Sequence, residues 1–248
     1  MVENRIAQNF GAWGLLKYAL PTVCMMLFTS IYTMVDGVFV AQFVSVDALS
    51  ALNIVNPLFS LVMGFGVMLG AGGSAVIAKN VGEGEEQQAF DNLSTLVFFG
   101  AILGLVLMAL LLVFMEPILS VLGATEILMP YCKEYCYYIV GFLAPWVLEL
   151  MFSSYFITAG KPQIGLIATL CSGVFNIVGD YVLIVVVGMG IRGAALATGL
   201  ATCIPVVIAL IYFFNKEHSL HFGRIMNRPR MILKSCTNGV SEMISNLA

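Results

Sequence analysis

The chain has 248 residues, of which 60% are hydrophobic and only 10% are charged, and its formal net charge is −3. Soluble globular proteins contain about 25% charged residues, so this composition excludes an ordinary water-soluble domain and an intrinsically disordered chain. A membrane helix with its loop takes roughly 30–40 residues, so the length predicts about six or seven membrane-spanning helices.

Six apolar stretches are long enough to cross about 30 Å of hydrocarbon as helices. The stretches are continuous rather than alternating, which favours helices over the strands of a barrel. The predicted spans are, in chain order, residues 15–42, 52–78, 93–115, 131–158, 162–187 and 193–214. A seventh apolar stretch begins near Met231 and reaches Ala248.

Basic residues indicate how these helices are oriented. If the N-terminus lies inside, only Lys133 and Arg192 of the 11 Lys and Arg residues fall in outer loops. The positive-inside rule then places the N-terminus and the basic loop 215–230 in the cytoplasm. We therefore expect a multi-pass protein of the plasma or inner membrane of the cell.

Acidic residues lie inside the apolar stretches, which hold no deep Lys or Arg. They are Asp36, Glu149, Asp180 and, in the seventh stretch, Glu242. An acid at the centre of a membrane helix costs about 2.5–3.5 kcal/mol on insertion scales. Without a basic partner such an acid must be protonated, bind a cation or face water, and this requirement predicts ion-coupled transport.

Two of these acids are predicted to lie at the same depth. Asp36 and Asp180 are each about six or seven residues from the outer end of their spans, which is roughly 10 Å at 1.5 Å per residue. Asn176 lies one turn from Asp180 on the same helix face. Thr198 follows Met189 by as many residues as Asp180 precedes it, so a tight reversal places both at one depth. These four oxygen-bearing side chains are predicted to converge and to bind a hard cation or a proton.

Glu149 lies at a different depth, so it is either a separate acid for substrate or coupling, or an acid in a helix contact or cavity wall. Tyr32 and Thr33 lie one turn before Asp36 and are expected to hydrogen-bond its carboxyl group. The further candidates for substrate or coupling contacts are Tyr32, Asn53, Glu149, Thr202 and Glu242.

Two other groups of residues have a structural interpretation that is favoured over a functional one. Asn53 gives the second span a polar position, for which interhelical hydrogen bonds are the simpler account. The first two spans also contain methionines that suit an adaptable binding pocket, but packing or lipid contact is the commoner role of methionine. They are Met25, Met26, Met34, Met63 and Met68.

Several short motifs follow one another in a specific order along the chain. They are Leu20-Pro21 with Tyr32 and Asp36-Gly37, the run Gly70–Gly84, Ala159-Gly160-Lys161-Pro162, Asn176-x3-Asp180, and Gly193-Ala194-Ala195 with Thr198. Together they resemble the N-terminal lobe of the multidrug and toxic compound extrusion (MATE) transporters, in their bacterial and archaeal branch. The resemblance implies an all-α transporter of twelve helices in two six-helix lobes. This chain would supply the first lobe (1–214), a cytoplasmic inter-lobe loop (215–230) and the start of helix 7 (231–248).

The resemblance also implies a function, which is export of organic cations or amphipathic drugs in exchange for Na+ or H+, without a cofactor and without enzymatic activity. The family's cation site in this lobe corresponds to Asp36, Asn176, Asp180 and Thr198, which would also hold Na+ if Na+ is the coupling ion. Neutralising the acids would change the packing of the first span, with Pro21 and Gly37 as candidate hinges. The expected partners are small cationic molecules, the lipid bilayer and the second lobe of the same protein, and no nucleic acid.

Three other functions of helical membrane proteins fit this sequence less well. A lipid-linked precursor flippase of the same superfamily would line its cavity with basic residues for pyrophosphate, and these spans contain none. An ion channel or a receptor-type bundle would not need paired deep acids accompanied by Asn and Thr. An intramembrane enzyme is disfavoured because both histidines, His218 and His221, lie in the loop.

Overall fold

The computed structural model describes residues 12–247, with side chains described from residue 20 onward. The N-terminal end used for the orientation prediction and Ala248 lie outside this range. The described chain is all-helical, as predicted, and six of its helical segments are long and apolar enough to cross a membrane. The helices are α1 (Ala12–Phe43), α2 (Val46–Gly82), α3 (Glu86–Val121), α4 (Met129–Ile139), α5 (Leu143–Thr158), α6 (Pro162–Asp180), α7 (Ile191–Phe214) and α8 (Pro229–Leu247).

The helices α2 and α3 are longer than the predicted spans. Ser45 caps the start of α2, where its Oγ accepts the Ala48 N–H at 3.0 Å. The chain then stays helical until the turn at Gly84, whose φ of +79° is the left-handed conformation that glycine adopts readily. Hydropathy marks only the apolar part of a helix, so it misses polar end turns that caps and turns delimit.

The core of the bundle is an aromatic cluster between α5 and α7. The ring of Phe213 stacks on Phe152 at 5.7 Å and on Phe156 at 5.4 Å, measured between centroids. Tyr155 is fully buried beside them, and its hydroxyl donates to the Leu69 carbonyl of α2 at 3.2 Å. This cluster packs α5 against α7, and Glu149 lies on α5 three residues before Phe152.

The helix α8 crosses α2 with no side chain between the two backbones. A Cβ on Gly72 would overlap the Ser235 carbonyl oxygen, and a Cβ on Gly239 would overlap the Met68 carbonyl oxygen. Small residues permit such close approach, which gains van der Waals contact where a hydrophobic driving force is weak. The first helix after the loop is therefore packed on the six-helix lobe.

The segment that precedes α8, Leu220–Arg228, is bound to the start of α3. Its backbone N–H groups donate to side chains of α3, from Arg224 to Asp91 Oδ1 at 2.8 Å and from Met226 to Thr95 Oγ1 at 3.0 Å. The Arg228 guanidinium donates to Asn92 Oδ1 at 3.0 Å. These α3 side chains are buried, so the docked segment supplies the hydrogen bonds that buried polar groups require.

We predict that Asp91→Ala releases this segment. Removing a hydrogen bond to a charged group costs about 1.5–3 kcal/mol, so local opening should increase at least about tenfold. Trypsin cleavage after Arg224 should accelerate accordingly in membranes that contain the full-length protein. The exposed Glu86→Ala in the first turn of α3 is the control, and equal cleavage of the two variants would contradict the docking.

Candidate cation and substrate site

Two carboxyl groups meet inside the helical bundle. Asp36 of α1 and Asp180 at the end of α6 lie close enough for their side chains to interact directly. Asp36 Oδ1 and both oxygens of Asp180 are buried and find no hydrogen-bond donor among the described residues. Two carboxylates in contact repel each other, so the arrangement requires a shared proton or a bound cation.

The other two predicted members of the set lie one helical turn away. Asn176 of α6 donates from Nδ2 to Thr198 Oγ1 of α7 at 3.2 Å. Its Oδ1 is buried and has no donor among the residues that the structure describes. The structure therefore gathers carboxyl, amide and hydroxyl oxygens on three helices. No group of three or more His, Cys, Asp or Glu in the described range could hold a metal ion, so any cation here must use this mixed oxygen set.

Glycine allows α1 to approach α6 closely at this point. A Cβ on Gly173 would lie 2.9 Å from Tyr32 Cδ1 and would also overlap the ring of Phe28. Gly173 lies two turns before Asp180 on the same face of α6, and Tyr32 lies one turn before Asp36 on α1. The contact between the two acids thus depends on a position without a side chain.

The helix widens immediately after Asp180. Residues Tyr181–Val186 form a π-helical turn, and Val187 donates its N–H to the Val182 carbonyl at 2.9 Å, five residues back. Such turns are rare in proteins, and where they occur they often lie at functional sites. The wider turn changes the direction in which side chains after Asp180 point, so they do not continue the helix face that carries Asn176 and Asp180.

A cavity of about 410 Å³ reaches Tyr32 of α1, one helical turn before Asp36. Glu149 is the one charged side chain among its described lining residues, and Tyr32 lies on the same wall. Tyr32 is within electrostatic reach of both Glu149 and Asp36, so it connects the cavity with the acid pair. The remaining lining includes six methionine and aromatic side chains, namely Met25, Met26, Met63, Trp146, Phe152 and Phe156. It also includes the hydroxyls of Thr29, Ser30, Ser153 and Thr169 and the amide of Asn246.

The chain matches a known family over the helices that carry this site. The sequence model of the MatE family matches residues 21–182. This chain belongs to the MATE family. The matched range contains both Asp36 and Asp180, and it extends from Pro21 in α1 into the π-helical turn.

Curated relatives of this MATE chain are bacterial export proteins. Multidrug export protein MepA of Staphylococcus haemolyticus is 29% identical over 212 residues, which are 85% of this chain and 46% of the relative. MepA of Staphylococcus saprophyticus is 27% identical over 218 residues, which are 87% of this chain and 48% of the relative. The chain spans about half the length of the curated relatives it matches.

Solved MATE structures share the fold. An outward-facing multidrug resistance MATE family transporter superposes with a TM-score of 0.85 at 20% identity, over 94% of this chain and 52% of that chain. An inward-facing one superposes with a TM-score of 0.82 at 20% identity, over 88% and 50% of the two chains. The predicted fold, a six-helix lobe of a MATE transporter with the start of a further helix, is confirmed.

Not every candidate residue of this MATE chain reaches the site. Asn53 and Glu242 are exposed, and neither lines the cavity. Thr202 is buried, but its hydroxyl donates to the Gly199 carbonyl of its own helix at 2.7 Å. The expected bond from Thr33 to Asp36 is wrong, because Thr33 Oγ1 donates to the Thr29 carbonyl at 2.9 Å.

The candidate hinges lie within one continuous helix. Both Pro21 and Gly37 are internal to α1, and a Cβ on Gly37 would meet no described atom within 4 Å. Nothing in the geometry assigns or excludes a bend at either residue, and their hinge role stays a prediction.

Several cavity residues were missed by the sequence analysis, among them Trp146 and Asn246. Trp146 precedes Glu149 by three residues and therefore shares its helix face, a signal that could have identified it. Asn246 of α8 also lines the cavity, and no local pattern points to it. The methionines Met25, Met26 and Met63, interpreted from the sequence as packing or lipid-facing residues, line the cavity as well.

We predict that Gly173→Ala destabilises the protein by forcing α1 away from α6. Overpacking of this kind costs about 1–3 kcal/mol, which exceeds the gain of up to about 1 kcal/mol from replacing glycine by alanine in a helix. Thermal unfolding of the full-length protein in detergent should show a lower Tm. The matched control is Gly37→Ala, whose Cβ would enter open space and whose Tm should be equal or higher. A Tm of Gly173→Ala at or above that of the wild type would contradict the proposed close contact.

Proposed function

We propose that this chain forms the first half of a multidrug exporter that exchanges an organic cation or amphipathic drug for Na+ or H+ by alternating access. The observation that carries the proposal is the contact of Asp36 with Asp180, buried and without a described donor, next to a cavity with one acid. The naming of the relatives as multidrug export proteins supports it.

The acid pair is the coupling site in this proposal. When Asp36 and Asp180 are both ionised their repulsion favours separation of α1 from α6, and a proton or Na+ between them favours the contact seen here. Asn176 and Thr198 would supply further oxygen ligands to Na+, while a proton needs only the two carboxyls. The ion therefore binds the two arrangements of α1 with different affinity, which is the condition for coupling.

The cavity is the drug site in this proposal. A lipophilic cation would place its charge near Glu149 and its apolar surface against Trp146 and the methionine side chains. Tyr32 would interact with both sites, because it lines the cavity and lies within electrostatic reach of Asp36. Transport by rocking of two lobes requires the second half of the protein.

The proposal also includes location and orientation. The chain is a multi-pass membrane protein, and we place it in the plasma or inner membrane with its N-terminus in the cytoplasm, from the distribution of Lys and Arg. The docked segment Leu220–Arg228 would then lie on the cytoplasmic side.

The rival functions receive less support from the cavity. No Lys or Arg occurs among its described lining residues, so it offers no partner for the pyrophosphate of a lipid-linked precursor. An ion channel would conduct without fixed stoichiometry between drug and ion. Measurement of that stoichiometry separates it from an exchanger.

We predict that Asp36→Asn and Asp180→Asn each abolish ion-driven drug export, because an amide can neither release a proton nor neutralise Na+. Everted vesicles with the full-length protein would be given a Na+ gradient or a pH gradient separately, and export of a fluorescent cation would be recorded. The initial rate should fall at least about tenfold, corresponding to about 1.4 kcal/mol.

The control is Asp47→Asn, which removes an exposed acid in the first turn of α2 and should export at nearly the wild-type rate. The gradient that drives the wild type identifies the coupling ion. Undiminished ion-driven export in both site variants would refute the proposed coupling site.

A further inference from the structure

The cavity described above is completed by a helix from outside the six-helix lobe. Beyond its crossing with α2, α8 continues along that helix, and at Gly64 a Cβ would lie 3.0 Å from Met243 and 3.8 Å from Leu247. Asn246, one of the three residues between these two contacts, lines the cavity together with Met63 and Glu149. A polar side chain that follows the loop in sequence thus contributes to the wall of the drug cavity.

Asn246 differs chemically from most of that wall. Its carboxamide offers one acceptor and two donors, whereas Glu149 when ionised offers charge and accepts only. The remaining lining combines methionine, aromatic and other apolar side chains with hydroxyl groups, so Asn246 is the one carboxamide among the described lining residues. The hydroxyls belong to Thr29, Ser30, Tyr32, Ser153 and Thr169. A few polar groups in such a cavity determine which ligands are accepted, because an unmatched polar group is penalised.

We propose that Asn246 is a specificity-determining residue that hydrogen-bonds a polar group of the drug while Glu149 faces the drug's positive charge. The preferred substrates are then organic monocations that also carry an N–H, O–H or carbonyl group. Cations without such a group bind through Glu149 and the apolar wall alone. This inference rests on the proposed drug export.

The position of Asn246 gives the contact a second consequence. Glu149 is on α5, within the lobe, and Asn246 is on α8, so a drug that contacts both bridges the two helices. The close crossing at Gly72 and Gly239 holds α8 where the bridge is possible. Drug selectivity and the position of α8 are therefore linked through one hydrogen bond.

The test compares two cationic probes in the purified full-length protein. Ethidium carries amino groups, while tetraphenylphosphonium has no hydrogen-bonding group. Asn246→Leu keeps the approximate side-chain size and should weaken ethidium binding roughly three- to tenfold, as expected for one lost hydrogen bond, with tetraphenylphosphonium affinity unchanged or higher. Glu149→Gln should weaken both probes. Binding is read from equilibrium titration, so the result does not depend on turnover.

The matched control is Asn238→Leu, the same substitution on the same helix at an exposed position that does not line the cavity. Should Asn246→Leu fail to fold, Asn246→Ser retains a hydroxyl and should give an intermediate ethidium affinity. An unchanged ratio of ethidium to tetraphenylphosphonium affinity in the folded Asn246 variant overturns this inference alone. Wild-type protein that exports neither probe under either ion gradient overturns the proposed function instead.

Discussion

Two carboxyl groups in contact inside an apolar bundle constrain everything else about this lobe. Asp36 and Asp180 have no basic neighbour in their spans and no described donor, so their contact is stable only when a proton or a cation is present. In the proposed mechanism the position of α1 depends on whether these acids carry a proton or a cation, while the aromatic cluster around Phe213 packs α5 against α7. In this mechanism α1 is the helix that moves when the charge of the acids changes, and α5 and α7 keep their positions.

Glycine makes both of the close contacts on which this arrangement depends. At Gly173 the missing side chain lets α1 reach α6, and at Gly72 and Gly239 it lets α8 reach α2. In lipid, helices gain little from burying apolar side chains against each other, so close backbone packing carries more of the stability than in water. Substitutions at these glycines should therefore affect assembly before they affect chemistry.

Much of the fold and part of the site could be predicted from the sequence. The six spans follow from hydropathy, and the pairing of Asp36 with Asp180 follows from counting residues to the outer helix ends. The π-helical turn after Asp180 and the place of Asn246 could not be predicted, because both depend on contacts between distant segments. Thr33 was misassigned because a helical threonine can satisfy its hydroxyl on the carbonyl one turn back, and the sequence does not show which partner it takes.

The docked segment before α8 connects the position of that helix to α3. The N-terminal end of α8 follows Arg228, which donates a hydrogen bond to α3, and the backbone of α8 contacts α2 closely at Gly239. Asn246 lies seven residues beyond Gly239, roughly 10 Å along α8, so a tilt of α8 together with its contacts on α2 by about 10° would displace the amide by about 2 Å. That distance is enough to make or break a hydrogen bond. Under the proposed function, a small tilt of α8 would thus change which molecules the cavity binds, and a drug that depends on Asn246 would be released without the cavity having to open.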